Sequence, residues 1–177
     1  RMSPAARTEC YAQFRRALAP VADRAGESGV SIGVEALNRY ETSVVNTVEQ
    51  TIELIDGLPP SVGIMIDTYH MNIEEADPYA ALAAAGPYVK HVQVSGTDRG
   101  APGADHFDWP RFFTTLRATG YRGAVCIESF TAQNATIATA ASIWRPLAPS
   151  QDRLATDGLR HLRKILGDPH RISTPPG

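Results

Sequence analysis

The stretch that decides the fold covers residues 63–72 and reads Gly63-Ile64-Met65-Ile66-Asp67-Thr68-Tyr69-His70-Met71-Asn72. A short apolar run without alternation is typical of a strand buried on both faces, as in a parallel sheet covered by helices. The run ends at Asp67, and α/β sheets and barrels place their chemistry at the carboxyl ends of their strands. His70 follows in the next loop. The pattern indicates a metal or acid/base site, with a helix cap by Asp67 and a surface histidine as the alternative.

Outward from this strand, apolar runs alternate with helical patterns along the chain. Predicted strands cover residues 29–34, 62–67, 89–94 and 123–127. Predicted helices cover residues 3–26, 44–55, 77–86, 109–118 and 151–166, with a loop or broken helix over 131–144 and a frayed tail over 173–177. In the first helix, the apolar pattern runs through Tyr11, Phe14, Leu18 and Val21. Alternating strands and helices predict βαβ units and a parallel sheet, an α/β fold of four βα units and a final helix.

Each predicted strand ends in a residue that can bind a metal or move a proton. These residues are Glu35, Asp67, Gln93 and Glu128. The ends of adjacent parallel strands converge, and three crowded carboxylates repel one another unless a cation lies among them. Carboxylate and amide oxygens suit Mg²⁺ or Mn²⁺. Such a site predicts proton transfer next to a carbonyl group, as in isomerisation or epimerisation of a ketose.

Composition excludes several classes of protein. The chain has 177 residues and a net charge of -2, which fits one domain without the basic surface of a nucleic-acid-binding or membrane-surface protein. No apolar run approaches the ~18 residues of a membrane span, and residues 1–7 lack the apolar core of a signal peptide. We therefore expect a soluble, cytoplasmic protein. Of its two cysteines, Cys126 lies in an apolar run, which favours a buried thiol over a disulfide.

Four motifs in order carry a resemblance to a known superfamily. They are Gly33-Val34-Glu35-Ala36-Leu37-Asn38-Arg39-Tyr40-Glu41, Asp67-Thr68-Tyr69-His70-Met71-Asn72-Ile73-Glu74-Glu75, Gln93-Val94-Ser95-Gly96-Thr97-Asp98-Arg99-Gly100 with Pro102-Gly103, and Ile127-Glu128-Ser129-Phe130. The sequence resembles the metal-dependent sugar isomerases and epimerases of the xylose-isomerase-like TIM-barrel superfamily, most closely the D-tagatose/D-psicose 3-epimerase group. The resemblance covers nearly the whole chain and is specific, because several motifs recur at compatible spacing.

The resemblance implies roles at the strand ends. Glu35 and Glu128 would be metal ligands that also serve as the acid/base pair on the two faces of the substrate. Asp67 would be a further metal ligand. The implied cofactor is Mn²⁺ or Mg²⁺, with Co²⁺ or Zn²⁺ as alternatives. Trp109 matches the family pattern but is expected in the core.

Three further residues would bind the substrate, a small ketose or related keto compound. His70 and Arg99 would bind sugar oxygens, and Glu41 would lie in the substrate shell. Simpler interpretations exist for two of them. Arg99 could pair with Asp98 or Asp105, and Glu41 could cap the helix that follows it.

One residue departs from the 3-epimerase pattern. Gln93 stands where the 3-epimerases usually have a histidine ligand. His91 lies on the same strand face but about 6 to 7 Å deeper in the barrel, so Gln93 is the preferred fourth ligand. Glutamine at this place resembles the hydroxypyruvate-isomerase branch, which makes a hydroxypyruvate-type isomerase or an inosose dehydratase the alternative enzymes. A metal-binding nuclease fits less well, because the chain has only five histidines.

The length also departs from the family, since a full (β/α)₈ barrel takes about 250 residues. Residues 1–177 correspond to a single domain that forms the C-terminal half of such a barrel. A half-barrel exposes two strand edges, which invites pairing with the missing N-terminal half or with a second copy. We therefore expect either a fragment, whose activity depends on whether half a barrel suffices, or a homo-oligomer. A dimerising half-barrel that only binds a partner is the non-enzyme alternative.

Overall fold

A computed structural model gives the structure of residues 2–167. In this range the α-helices are Pro4–Glu27 (α1), Val48–Ile55 (α2), Thr68–Glu74 (α3), Pro78–Ala85 (α4), Trp109–Ala118 (α5), Ala135–Ala140 (α6) and Gln151–Leu166 (α7). The strands are Ile32–Glu35 (β1), Val62–Asp67 (β2), Val89–Val94 (β3) and Val125–Ile127 (β4), and a 3₁₀ turn covers Gly86–Tyr88. Residue 1 and residues 168–177, with the predicted frayed tail, lie outside the described residues.

The strands form one parallel sheet in the order β1-β2-β3-β4. Helices connect successive strands, which confirms the predicted α/β fold of alternating strands and helices. The register pairs Asp67 with Gln93 and Gln93 with Cys126, so the carboxyl ends of β2, β3 and β4 lie at one edge. At β1, Glu35 pairs with Met65.

The main core lies between the sheet and the helices on its outer face. Ile64 and Val92 point into it and are fully buried, and α5 adds Phe112 and Phe113, also fully buried. Trp109 is 2% exposed, which confirms its place in the core. Since burying one large aromatic side chain stabilises a fold by about 3–5 kcal/mol, α5 is a major contributor to stability.

The opposite, concave face of the sheet is more open. Met65 and His91 on this face are partly exposed, and Cys126 is exposed. The prediction of a buried Cys126 thiol is therefore wrong. Side chains alternate between the two faces of a strand, and the Cys126 side chain points to the open face although its neighbours in sequence are apolar.

Residues 68–74 form a helix where a loop was predicted. Asp67 caps this helix by accepting a hydrogen bond from the backbone N–H of Tyr69 at 2.7 Å. A helix of 7 residues is too short to show a repeated apolar period, so its pattern resembled a loop.

Other element ends also differ from prediction. β1 begins at Ile32 and β4 at Val125, later than predicted. α2 begins at Val48 because Thr47 is its N-cap and accepts a hydrogen bond from the N–H of Gln50. Val21 is 55% exposed, so its predicted place on the apolar face of α1 is wrong.

Gly63 in β2 allows a close approach of the chain. A Cβ atom at this position would collide with the Tyr88 carbonyl oxygen and the Lys90 side chain. The register between β2 and β3 shifts at Ile64 and Met65, next to this contact. Any side chain at residue 63 would therefore push β3 away.

Within residues 2–167, none of the helices is both long and apolar enough to span a membrane.

Candidate active site

The carboxyl ends of β1 and β2 bring several potential ligands together. Glu35 ends β1, Asp67 ends β2, and His70 lies in the first turn of α3. One potential ligand atom of each residue lies within 4.8 Å of the other two. Gln93 pairs with Asp67 across the sheet, so its side chain leaves the same face beside that carboxylate. Three of the four strand-end residues thus meet at one place.

Arg99 joins the fourth strand end to this group. Its Nη1 atom donates hydrogen bonds to Asp67 Oδ2 and to Glu128 Oε2, both at 2.8 Å. The guanidinium lies 4.0 Å from the ring centre of Tyr69 and 5.4 Å from that of Phe130. Arg99 is 5% exposed and adopts a φ of 68°, a left-handed conformation in the loop after β3. The predicted site residues at the ends of β2 and β4, Asp67 and Glu128, are therefore connected through one buried cation.

The simpler interpretation of Arg99 is wrong. Asp98 pairs with Arg145 at 2.7 Å, on the surface. Asp105 accepts a hydrogen bond from Trp109 Nε1 at 2.9 Å. Both carboxylates have other partners, and the Arg99 side chain points inward instead.

His70 is 2% exposed, so the alternative of a surface histidine is also wrong. Its Nε2 lies 3.5 Å from Glu35 Oε1 and 3.9 Å from Asp67 Oδ2. Its Nδ1 lies 3.1 Å from the backbone N of Asn38. Burial is the main cause that lowers the pKa of His70, and the Arg99 charge adds to it, so the imidazole is neutral at pH 7.

Crowding shifts two carboxyl groups in the opposite direction. Burial raises the pKa of Glu35 to about 7, with the charges of Asp67 and Glu128 as the next causes. Burial also raises the pKa of Glu128, and the neighbouring Asp67 carboxylate raises it further. Both shifts remain although Arg99 lowers the pKa of each group. Strand ends β1 and β4 therefore carry carboxyl groups that bind protons more tightly than ordinary glutamates do.

Gln93 has a feature expected of a metal ligand. Its Oε1 atom is buried and has no hydrogen-bond partner among the described residues. Leaving a buried acceptor unpaired costs about 1–3 kcal/mol, whereas an ion at this place would use the lone pair. His91 pairs instead with Met65, deeper in the sheet. Three carboxylates and this amide oxygen fit a hard divalent cation, which favours Gln93 over His91.

A cavity of about 260 Å³ opens beside these groups. Its lining residues are Glu41, Tyr69, Arg99, Phe130, Ile137, Ala140 and Ala141. The idea that Glu41 caps α2 is wrong, because Thr47 does so and Glu41 accepts a hydrogen bond from Asn38 Nδ2 at 2.7 Å. Sequence reasoning missed Tyr69 and Phe130 as walls. Each lies two residues after a strand-end carboxylate, and this position was the available signal.

Comparison with known proteins adds to this geometry. Residues 2–165 match the family model described as xylose isomerase-like TIM barrel. A probable ketose 3-epimerase of Synechocystis sp. is 39% identical over 153 residues, which are 86% of this chain and 53% of that protein. A D-psicose 3-epimerase of Enterocloster bolteae is 35% identical over 158 residues, 86% of this chain and 52% of that protein.

A solved structure agrees with the sequence relatives. The D-allulose 3-epimerase from Methylomonas sp. in complex with D-allulose superposes with a TM-score of 0.80 at 31% identity. The match covers 92% of this chain and 56% of that one. The chain thus spans about half the length of the proteins it resembles.

Proposed function

The chain belongs to the xylose isomerase-like TIM-barrel family, and from this membership we propose that it carries the catalytic half of a metal-dependent ketose 3-epimerase. The observation that carries the proposal is the meeting of Glu35, Asp67 and His70 at the strand ends, where Arg99 joins Asp67 to Glu128. The named relatives are ketose 3-epimerases. We propose the same reaction class for the protein to which residues 1–177 belong.

Glu35, Asp67, Gln93 and Glu128 would hold the metal ion, with Mn²⁺ or Mg²⁺ as the first candidates and Co²⁺ or Zn²⁺ as alternatives. When bound, such an ion polarises the substrate carbonyl and stabilises negative charge on the enediolate. Arg99 already donates to one oxygen each of Asp67 and Glu128. The ion and the guanidinium would therefore compete for these oxygens.

Glu35 and Glu128 are the proposed acid/base pair. They leave β1 and β4, the two outer strands of the sheet, so they flank whatever lies above β2 and β3. One carboxylate takes the proton from C3 of the ketose, and the other carboxyl group returns a proton to the opposite face of C3. The raised pKa of Glu35, about 7, suits either role, because a group that titrates near the working pH can both accept and donate a proton, and the pKa of Glu128 is shifted in the same direction.

The substrate would lie in the cavity beside Arg99. Arg99 and His70 would donate hydrogen bonds to sugar oxygens, and Glu41 would accept from a hydroxyl at the cavity wall. Tyr69 and Phe130 would cover the apolar C–H face of the sugar. A volume of about 260 Å³ suits a single monosaccharide.

We also propose that residues 1–177 form one domain, the C-terminal half of the barrel. Within residues 2–167, β1 and β4 each have a sheet neighbour on one side only, so both edges can pair with further strands. The rest of a barrel or a second copy of the chain would complete the wall. The cytoplasmic location and the absence of nucleic-acid or membrane partners stay predictions.

The test follows the C3 proton. The 177-residue protein is incubated with D-fructose or D-psicose and Mg²⁺ in deuterated water, and proton NMR follows the loss of the C3 signal. We expect deuterium at C3 and formation of the 3-epimer. Glu35→Gln and Glu128→Gln should each lower the rate by at least about 100-fold. Glu27→Gln, at the exposed end of α1, is the matched control and should keep the rate.

Other outcomes identify the alternatives. Turnover of hydroxypyruvate without turnover of ketoses would favour the hydroxypyruvate-type isomerase, which Gln93 supports, and dehydration of an inosose would favour the dehydratase. Stoichiometric Mn²⁺ binding without turnover would assign the activity to a longer protein. A tight dimer without Mn²⁺ affinity would contradict the proposal and favour a binding module.

A further inference from the structure

The feature behind this inference is the set of hydrogen bonds made by Asn38, which is 1% exposed. Its Oδ1 accepts from the backbone N–H of Tyr40 at 2.9 Å, so the amide orientation is fixed. Its Nδ2 then donates to Glu41 Oε1 at 2.7 Å and points at His70 Nδ1 at 2.9 Å. Its backbone N–H also donates to His70 Nδ1, at 3.1 Å. Asn38 therefore aims two N–H donors at one ring nitrogen.

These donors decide which nitrogen of His70 carries the proton. A neutral imidazole has one N–H and one lone pair, and a nitrogen that faces two donors must supply the lone pair. The proton then lies on Nε2, the nitrogen that faces the carboxylate oxygens Glu35 Oε1 at 3.5 Å and Asp67 Oδ2 at 3.9 Å. Arg99 Nη2, 3.1 Å from Nε2, favours the opposite tautomer. The backbone N–H of Asn38 and the Arg99 guanidinium thus favour opposite tautomers, and the second donor on Nδ1, Asn38 Nδ2, decides between them.

We propose that Asn38 is a positioning residue that holds His70 as the Nε2–H tautomer. In this form His70 offers the site an N–H donor and has no lone pair there for a metal ion. His70 is then a donor to a substrate oxygen, although its ring atoms lie close enough to Glu35 and Asp67 to belong to a metal cluster. The use of this N–H rests on the proposed function; the tautomer itself does not.

The test reads the tautomer directly. The 177-residue protein is labelled with ¹⁵N-histidine, kept in EDTA without substrate, and measured by long-range proton–nitrogen NMR. His70→Gln identifies the His70 signals. We expect an unprotonated Nδ1 and a protonated Nε2 in the wild type. Asn38→Asp replaces the donor by an acceptor of the same shape and should move the ratio toward Nδ1–H by at least about tenfold.

Asn46→Asp is the matched control. Asn46 Nδ2 donates to the carbonyl oxygens of Leu37 and Thr42, at 2.7 and 3.0 Å, so it braces the same loop without contacting His70. This variant should keep the wild-type tautomer. A merely structural role for Asn38 predicts equal effects of the two substitutions.

Two results would overturn the inference: a proton on Nδ1 in the wild type, or an unchanged tautomer in Asn38→Asp. If Asn38→Asp does not fold, Asn38→Ala decides, since loss of Nδ2 should make a mixture of tautomers and an unchanged single form would refute the role. The expected tautomer in a protein that neither binds Mn²⁺ nor epimerises a ketose would refute the proposed function alone.

Discussion

Replacing Glu35 by glutamine should remove a pH-dependent loss of stability from the protein without metal. Burial and two neighbouring carboxylates raise the pKa of Glu35 from 4.5 to about 7 in the folded state. Because the folded state holds this proton more tightly than the unfolded state, the stabilisation is complete below pH 4.5 and is lost as the pH rises to about 7. The difference amounts to about 3 kcal/mol between pH 4 and pH 8.

The assay is urea unfolding followed by circular dichroism, in EDTA, at pH steps from 5 to 8.5. Relative to the wild type, the free energy of unfolding of Glu35→Gln should rise by about 2–3 kcal/mol between pH 5 and pH 8. His70 acts in the opposite direction: its lowered pKa makes the folded state less stable below pH 6.5. That trend is present in both proteins and runs against the loss of stability caused by Glu35. Glu27→Gln should show a constant difference from the wild type.

If the free energies of unfolding of the wild type and of Glu35→Gln changed in parallel with pH, this reasoning would be refuted. Parallel changes would mean that Glu35 ionises freely, and hence that the strand ends are farther apart or more hydrated than the structure has them. A saturating divalent ion should reverse the wild-type trend, because it binds the ionised carboxylates best at high pH.

Three further changes test other contacts. Arg99→Met should bind Mn²⁺ at least about tenfold more tightly in calorimetric titration, because the guanidinium no longer competes for two carboxylates. The Mn²⁺ affinity of the surface variant Arg145→Met should stay within about twofold of the wild type, and an equal gain in both variants would reject competition. Gln93→Leu should weaken Mn²⁺ binding at least about tenfold yet stabilise the protein in EDTA by about 1–2 kcal/mol, because a buried unpaired oxygen is removed. Weaker Mn²⁺ binding together with lower stability would indicate that the Gln93 amide has a purely structural role. Gly63→Ala should lower the free energy of unfolding by about 1–3 kcal/mol through its clash with the Tyr88 carbonyl oxygen and β3. Gly26→Ala in α1, whose Cβ would make only ordinary van der Waals contact with Ser61, should raise it by about 0.5–1 kcal/mol, and comparable urea midpoints of the two variants would contradict the close approach.

Sequence predicted the central elements well because residues that break regular structure delimit them. The bounds of β2, β3 and α5 agree with prediction, and each lies next to proline or glycine. The outer strands were predicted less well. β1 is defined by pairing that starts at Ile32 with Val62, and β4 by pairing that starts at Val125 with Val92. The length of a strand depends on its neighbour, which a single run of sequence does not contain.

The candidate site divides in the same way. A residue at the end of a strand can be located from the strand alone, so the sequence predicts Glu35, Asp67 and Glu128 as a group at the strand ends. Arg99 itself has the left-handed backbone conformation in the loop between β3 and α5, and its partners depend on that conformation. The spacing of charges along the sequence instead suggests the nearer carboxylates of Asp98 and Asp105. The contact of Asn38 with His70 of α3 joins two segments far apart in sequence, so the sequence pattern does not predict it.

The charges at the strand ends explain why a divalent ion suits this fold. When the three carboxylates of Glu35, Asp67 and Glu128 are ionised, the Arg99 guanidinium offsets one charge and His70 none, which leaves a net charge of −2. The protein can reduce this charge by taking up a proton, and the raised pKa of Glu35 shows that tendency. A divalent cation would cancel the same charge without protonating Glu35 and Glu128, the proposed acid/base pair. Metal binding and proton uptake are therefore competing solutions to one electrostatic problem, and each should weaken the other.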